Sequence, residues 1–169
     1  MTMNTIHSIL IANRGEIAVR IIHTAKRMGI NTIAVYAEQD QEALHVKLAD
    51  QAWSLGTGNL QETYLNADKL IRIAQNAKVD AIHPGYGFLS ENSNFATYCE
   101  SVGISFIGPS ASAIQTMGNK LEAAKFVNSL GIPTLTVQTD SAEKIPESIA
   151  KEDMPVMIKA ASGGGGKGM

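Results

Sequence analysis

Three stretches of helical patterning end in the same pair of residues. Gly29-Ile30, Gly103-Ile104 and Gly131-Ile132 each close an apolar-striped segment and lead toward a strand. Glycine stops a helix because it enters the left-handed conformation without steric cost, so helix, Gly and then a β-branched residue reads as an α-to-β return. A chain that repeats this return lays its strands side by side in parallel and covers the sheet with helices. The intervals between the pairs are irregular, so the units belong to an α/β domain and not to a solenoid.

The units can be followed in order. Ser8-Ile9-Leu10-Ile11-Ala12 is continuously apolar, as a strand covered on both faces must be. It runs through Asn13-Arg14-Gly15-Glu16 into a helix whose Ala18, Ile21, Ile22 and Ala25 fall at i, i+3, i+4 and i+7, with Arg20, His23, Lys26 and Arg27 on the other side. A second strand is predicted over Thr32 to Ala37 and a third around Ala52 to Leu55, with Trp53 as a packing anchor. Asn66 caps a helix that puts Leu70, Ile73, Ala74 and Ala77 on one stripe, and a strand follows at Ala81-Ile82. The next helix should turn Phe95, Tyr98, Cys99 and Val102 inward, before a strand from Ile104 to Ile107. Past Gly108-Pro109 a short helix reaches Met117-Gly118-Asn119-Lys120, where a domain boundary is expected. The helix beyond it carries Ala123, Phe126, Val127 and Leu130, a strand begins near Thr134, Asp140 to Asp153 reads as a surface helix, and Pro155 to Ile158 as a strand.

Two loops have the composition of ligand sites. The first is Lys159-Ala160-Ala161-Ser162 running into Gly163, Gly164, Gly165, Gly166 and Lys167. Four glycines can curl their amides into a nest around an oxyanion, with lysines at both ends. One lysine about 4 Å from a phosphate gains roughly 1 kcal/mol in water and about 4 at a partly buried site, so several donors must act together. A Walker A loop is excluded, because Ala161 stands where its first glycine should and Gly168 follows Lys167. A flexible linker is the alternative, against which the apolar run before Lys159 argues. The second loop is His83-Pro84-Gly85-Tyr86-Gly87-Phe88-Leu89-Ser90-Glu91-Asn92. It follows a strand, at the carboxyl edge where parallel sheets bind ligands. Spacing alone leaves Tyr86 and Phe88 open as ligand contacts or as packing. Glu38 and Asp40 stand where a dinucleotide fold holds a ribose, but the first turn has only Gly15 and lacks G-x-G-x-x-G, so this end of the chain reads as scaffold.

Composition closes off other classes. A net charge of −2 from 14 basic and 16 acidic residues gives no basic field for nucleic acid or anionic lipid. No apolar run approaches membrane-spanning length, and Met1 to Ser8 lacks the features of an export signal. The single Cys99 points to a reducing compartment, read as the cytoplasm. His7, His23, His45 and His83 are not spaced with carboxylates or Cys99 as a metal centre requires, and no nucleophile elbow occurs.

Taken together, Ile11-Ala12-Asn13-Arg14-Gly15-Glu16-Ile17-Ala18, the His83 to Asn92 decapeptide, Met117-Gly118-Asn119-Lys120 and Ile158-Lys159 through Met169 resemble the biotin carboxylase family, in order and separation, over essentially the whole chain. The decapeptide is specific, whereas the glycine loop would suit several ATP-grasp ligases. The resemblance implies a Rossmann-like pre-ATP-grasp domain with a parallel sheet over residues 1–117, followed over 118–169 by the truncated start of an ATP-grasp domain. It implies an enzyme that uses ATP, bicarbonate and Mg2+ to form carboxyphosphate and carboxylate biotin on a carrier protein. It further implies a carboxyltransferase partner and a homodimer, for which the Arg20, His23 and Arg27 side of the first helix is the candidate surface. By motif, Lys120 and Lys159 would bind ATP phosphates, Gly163, Gly164, Gly165 and Gly166 would meet the nucleotide through backbone, and Tyr86 would lie near the biotin ureido ring. Asn119 stands where the family often has Asp, which keeps capping ability and removes a charge. The family's metal ligands and catalytic basic residues are expected beyond Met169, so the 169 residues are expected to be an inactive piece of a longer enzyme. Alternatives are a fragment of another ATP-grasp ligase, such as a carbamoyl-phosphate synthetase, and a nucleotide-binding or assembly module without chemistry of its own.

Overall fold

The structure is a computed structural model that describes residues 5–134 and 154–155. The predicted strand from Thr134, the surface helix over 140–153, the strand to Ile158, and Lys159 with its glycine loop fall outside the described residues, apart from Thr134, Met154 and Pro155. The chain divides into two compact units, Met1–Ala111 and Ser112–Met169.

In the first unit β1 (Ser8–Ile11), β2 (Asn31–Ala37), β3 (Gln51–Gly56), β4 (Ala81–His83) and β5 (Ser105–Phe106) form one sheet in the order β3-β2-β1-β4-β5. Every pairing is parallel. Helices α1 (Gly15–Arg27), α2 (Leu44–Leu48), α3 (Ala67–Asn76) and α4 (Ser93–Ser101) make the connections. Strand β1 sits at the centre, and its alternation explains its unbroken apolar sequence. Ile9 and Ile11 pack with Ala18, Ile21, Ile22 and Ala25 of α1, while Leu10 faces the other layer with Leu70, Ile82, Phe95 and Cys99. Each such side chain taken fully from water contributes about 1.5–3 kcal/mol, so three consecutive residues of β1 tie both helical layers to the sheet.

The Gly-Ile pairs do what their sequence predicts. Gly29, Gly103 and Gly131 have φ of 72°, 76° and 73°. The following amides reach back across the turn, Ile30 N–H to Ala25 O at 2.9 Å, Ile104 N–H to Cys99 O at 3.0 Å and Ile132 N–H to Val127 O at 3.4 Å. Each is a Schellman stop. Helix α3 ends the same way without glycine: Lys78 takes φ of 51° and Val79 N–H reaches Ala74 O at 3.1 Å. The lysine bears a left-handed backbone cost that glycine would not.

One stripe departs from expectation. In α4, Phe95, Ala96 and Cys99 are buried, whereas Tyr98 is 36% exposed. A nine-residue helix on a short β5 presents a narrow face, and Ala96 fills the place next to Phe95. In the second unit α5 (Ala111–Gly118) is followed by α6 (Lys120–Ser129), none of whose residues is buried, with Phe126 50% and Leu130 61% exposed. Among the described residues no helix is long and apolar enough to cross a membrane.

Candidate functional site

The strand order fixes where a ligand site can form. From β1 the chain steps outward through β2 to β3, then returns past β1 to β4 and outward again to β5. The connections leaving the carboxyl ends of β1 and β4 therefore diverge, and this switch point is where open parallel sheets place a ligand crevice. Both sequences that flank it, Asn13 to Glu16 and His83 to Asn92, are polar or glycine-rich.

Asn13 joins the two. Ladder pairing continues one step beyond the strands, with Ala12 N–H donating to His83 O at 2.9 Å, and the next residue turns its side chain into the opposite loop. Asn13 is 4% exposed, and its Nδ2 donates to Pro84 O and Tyr86 O, both at 2.8 Å. Its Oδ1 accepts from Arg14 N–H at 2.9 Å. Both amide hydrogens and the carbonyl are engaged, as burial demands. The approach is possible because residue 85 is glycine. Gly85 has φ of 68°, and a Cβ built on it would lie 2.8 Å from Asn13 Nδ2. Gly85 N–H also donates to His83 Nδ1 at 3.0 Å, which places the ring proton on Nε2.

The loop then separates its two aromatic residues. Phe88, at φ of 42°, stacks on Tyr64 with centroids 5.4 Å apart and 19° between planes, so it is packing. Tyr86 is 60% exposed, and its hydroxyl donates to Glu16 Oε1 in the first turn of α1. Asn92 closes the loop by capping α4, accepting from Phe95 N–H at 3.0 Å.

Beside the crevice, Asp40 is already engaged. It pairs with Arg14 at 3.2 Å and accepts from the Tyr64 hydroxyl at 2.7 Å, while that hydroxyl accepts from Ala37 N–H at 3.1 Å. The Arg14 guanidinium lies 5.6 Å from the Tyr64 ring centroid. Burial, followed by donation to Asp40, pushes the Tyr64 hydroxyl far above the usual phenol range. A carboxylate so occupied is a brace between the loops after β1 and β2, in keeping with a scaffold and not a ribose ligand.

Of the residues singled out in the sequence, Tyr86 stands at the crevice. Lys120 opens α6 in the second unit, where Asn119 Oδ1 accepts from Leu121 N–H at 3.0 Å and Glu122 N–H at 3.2 Å. Asn thus caps the helix as Asp would. Lys159, Gly163, Gly164, Gly165 and Gly166 lie outside the described residues. Sequence reasoning missed Asn13 and Glu16 as part of the crevice. The available signal was the abrupt change from an apolar strand to a run of polar residues at a carboxyl edge.

Two histidines near this end of the sheet set an acid limit on stability. His45, 1% exposed, places Nε2 3.3 Å from Val35 O, and its Nδ1 has no hydrogen-bond partner among the described residues. Burial holds its pKa below the ordinary 6.5, as it does for His83, where Arg20 adds to the effect. A folded pKa below the unfolded one means that the unfolded chain binds the extra protons, so stability is complete above 6.5 and declines as pH falls below it. Asp50, held down to about 2 by Lys26 and Thr32, and Asp80, lowered by the His7 and Ser8 amides, add acid sensitivity only below the ordinary 3.8. Urea midpoints should therefore fall between about pH 7.5 and 5.5, and an unchanged midpoint would contradict the buried neutral state of both rings.

Comparison with known proteins adds to this geometry. The family model described as "Biotin carboxylase, N-terminal domain" matches residues 5–114, and that described as "Carbamoyl-phosphate synthase L chain, ATP binding domain" matches residues 119–169. The chain is 49% identical over 164 residues to Biotin carboxylase 2 of Bacillus subtilis (strain 168), a match covering 95% of this chain and 37% of that protein. It is 47% identical to the mitochondrial methylcrotonoyl-CoA carboxylase subunit alpha of Rattus norvegicus, over 98% of this chain and 24% of that one. Among solved structures, the biotin carboxylase domain dimer of Hydrogenobacter thermophilus 2-oxoglutarate carboxylase, in complex with MgADP, ADP and bicarbonate, superimposes with a TM-score of 0.86 at 42% identity, covering 96% of this chain and 36% of that one. The chain thus spans little more than a third of the length of the relatives it matches, or less.

Proposed function

The chain belongs to the biotin carboxylase family, and we propose that it forms the amino-terminal domain, residues 1–117, and the opening of the nucleotide-binding domain, residues 118–169, of an enzyme that carboxylates biotin on a carrier protein. The enzyme would use ATP, bicarbonate and Mg2+, by way of carboxyphosphate. The observation that carries the reading is Tyr86, offered at the crevice between β1 and β4 by a loop that Asn13 holds from beneath. An exposed aromatic face with a tethered hydroxyl suits a flat ring with polar edges, as the biotin ureido ring is.

Phosphoryl transfer requires mainly positioning and charge neutralisation, which the proposal assigns to Lys120, Lys159 and the amides of Gly163, Gly164, Gly165 and Gly166. At α6 the cap already engages the Leu121 and Glu122 amides, so the ammonium of Lys120, and not the helix end, is the group assigned to phosphate. The magnesium ligands are placed outside the described residues. Partners in this reading are a biotin carboxyl carrier protein, a carboxyltransferase and a second copy of the enzyme. The Arg20, His23 and Arg27 side of α1 is the surface proposed for the second copy, and the solved relative is a dimer. The compartment proposed is the cytoplasm, which keeps the buried thiol of Cys99 reduced.

A full-length carboxylase carrying this sequence should release ADP in a bicarbonate-dependent reaction that free biotin accelerates. The 169 residues alone, about a third of such a protein, should not. The match of residues 119–169 favours one second reading, a carbamoyl-phosphate synthetase. ATP cleavage that requires ammonia, yields carbamoyl phosphate and ignores biotin would decide for it, and nucleotide binding without turnover would leave only an assembly module.

A further inference from the structure

The turn between β1 and α1 holds Tyr86 at two points. Asn13 Nδ2 fixes its backbone carbonyl at 2.8 Å, and Glu16, three residues later, accepts from its hydroxyl. The first contact is partly buried and sets where the residue leaves the loop. The second is exposed and sets where the ring points. Tyr86 is 60% exposed and belongs to neither aromatic pair among the described residues, and its hydroxyl contact restricts its χ angles. Glu16 also lies in the first turn of α1, where any carboxylate is favourable to the helix. A helix-end role alone does not bring its oxygen to a hydroxyl seventy residues away in sequence.

We propose that Glu16 is a positioning residue for Tyr86, holding the phenol in one orientation over the crevice between β1 and β4 so that its face is preset for the biotin ring. This rests on the assignment of Tyr86 as a biotin contact. The raised pKa of the Tyr86 hydroxyl, caused first by its hydrogen bond to Glu16, agrees with it.

The tether and the ligand role are tested separately. In the 169-residue chain, NMR titration of the Tyr86 ring should show its ionisation moving down toward the ordinary 10.0 in Glu16→Ala, and an unmoved titration would overturn the tether. In the full-length enzyme, Glu16→Ala should lower kcat/KM for free biotin by about three- to tenfold, the range of one modest hydrogen bond, with KM for ATP unchanged. Glu16→Gln keeps an acceptor oxygen and should restore most of the loss. In a Tyr86→Phe background Glu16→Ala should cost nothing more, and an undiminished further loss would overturn the proposal. If Tyr86→Phe and Tyr86→Ala both leave biotin kinetics unchanged, the ligand role of Tyr86 falls, and with it the catalytic half of the proposal, whatever the titration shows.

Discussion

Asn13→Asp is expected to destabilise the chain by about 3–5 kcal/mol and to free the loop from Pro84 to Phe88, although the two side chains differ by little more than one group. The amide nitrogen at this position donates to two carbonyl oxygens at 2.8 Å. A carboxylate oxygen in its place would face both as a third acceptor, carrying charge at a site only 4% exposed. Three responses are open to the molecule: to accept the repulsion, to move the loop, or to protonate the carboxyl. Protonation restores one donor of the two, so the relief is partial. It also raises the folded pKa of the introduced carboxyl above its unfolded value, and such a group loses stability as pH rises from the unfolded toward the folded pKa. The deficit relative to the unsubstituted chain should thus be greatest near neutrality and shrink as pH approaches about 4. Paired urea titrations at the two pH values measure this. A deficit below about 1 kcal/mol at pH 7, or one that grows on acidification, would show that Asn13 is not the clamp described.

Much of the first unit was legible because its determinants are local and periodic. The stripe of Ala18, Ile21, Ile22 and Ala25 is the buried face of α1, residue for residue, and Asn66 caps α3 through Lys69 N–H. The Gly-Ile returns are local too, since a Schellman stop involves six residues in sequence. Lys78 escaped this reading because its stop depends on packing that forces a left-handed residue where sequence offers no glycine. Tyr98 escaped it for another reason: periodicity says which side chains share a face, not whether anything covers that face. The site was less legible than the fold. Tyr86 and Lys120 came from motif resemblance, whereas the contacts of Asn13 and Glu16 with the β4 loop span about seventy residues and exist only once the strand order places β4 beside β1. No pattern within a window could report them.

The two glycines that flank Tyr86 separate backbone freedom from close approach, and their alanine variants should therefore behave differently. Gly85 and Gly87 have nearly the same conformation, φ of 68° and 62°, so each substitution places an L-residue in the left-handed region at a cost of about 1–2 kcal/mol. Alanine returns part of that, about 0.4–1 kcal/mol, by restricting the unfolded chain. At Gly87 nothing among the described residues lies within 4 Å of the new Cβ, so no further cost is added there. At Gly85 the Cβ meets Asn13 Nδ2 at 2.8 Å, Cγ at 3.1 Å and Cβ at 3.2 Å. Those atoms belong to a buried side chain engaged at all three of its polar positions, so it cannot swing away without leaving Pro84 O and Tyr86 O unpaired. Overpacking of this kind adds about 1–3 kcal/mol, and the total for Gly85→Ala should be about 2–4 kcal/mol against about 1 for Gly87→Ala. The excess should reappear in function, since the side chain that gives way is the one that fixes the Tyr86 carbonyl. In the full-length enzyme Gly85→Ala should impair biotin-dependent turnover far more than Gly87→Ala, with ATP affinity similar in both. Equal costs at the two positions would mean that Asn13 yields to the methyl group, and that the crevice is held by something other than its amide.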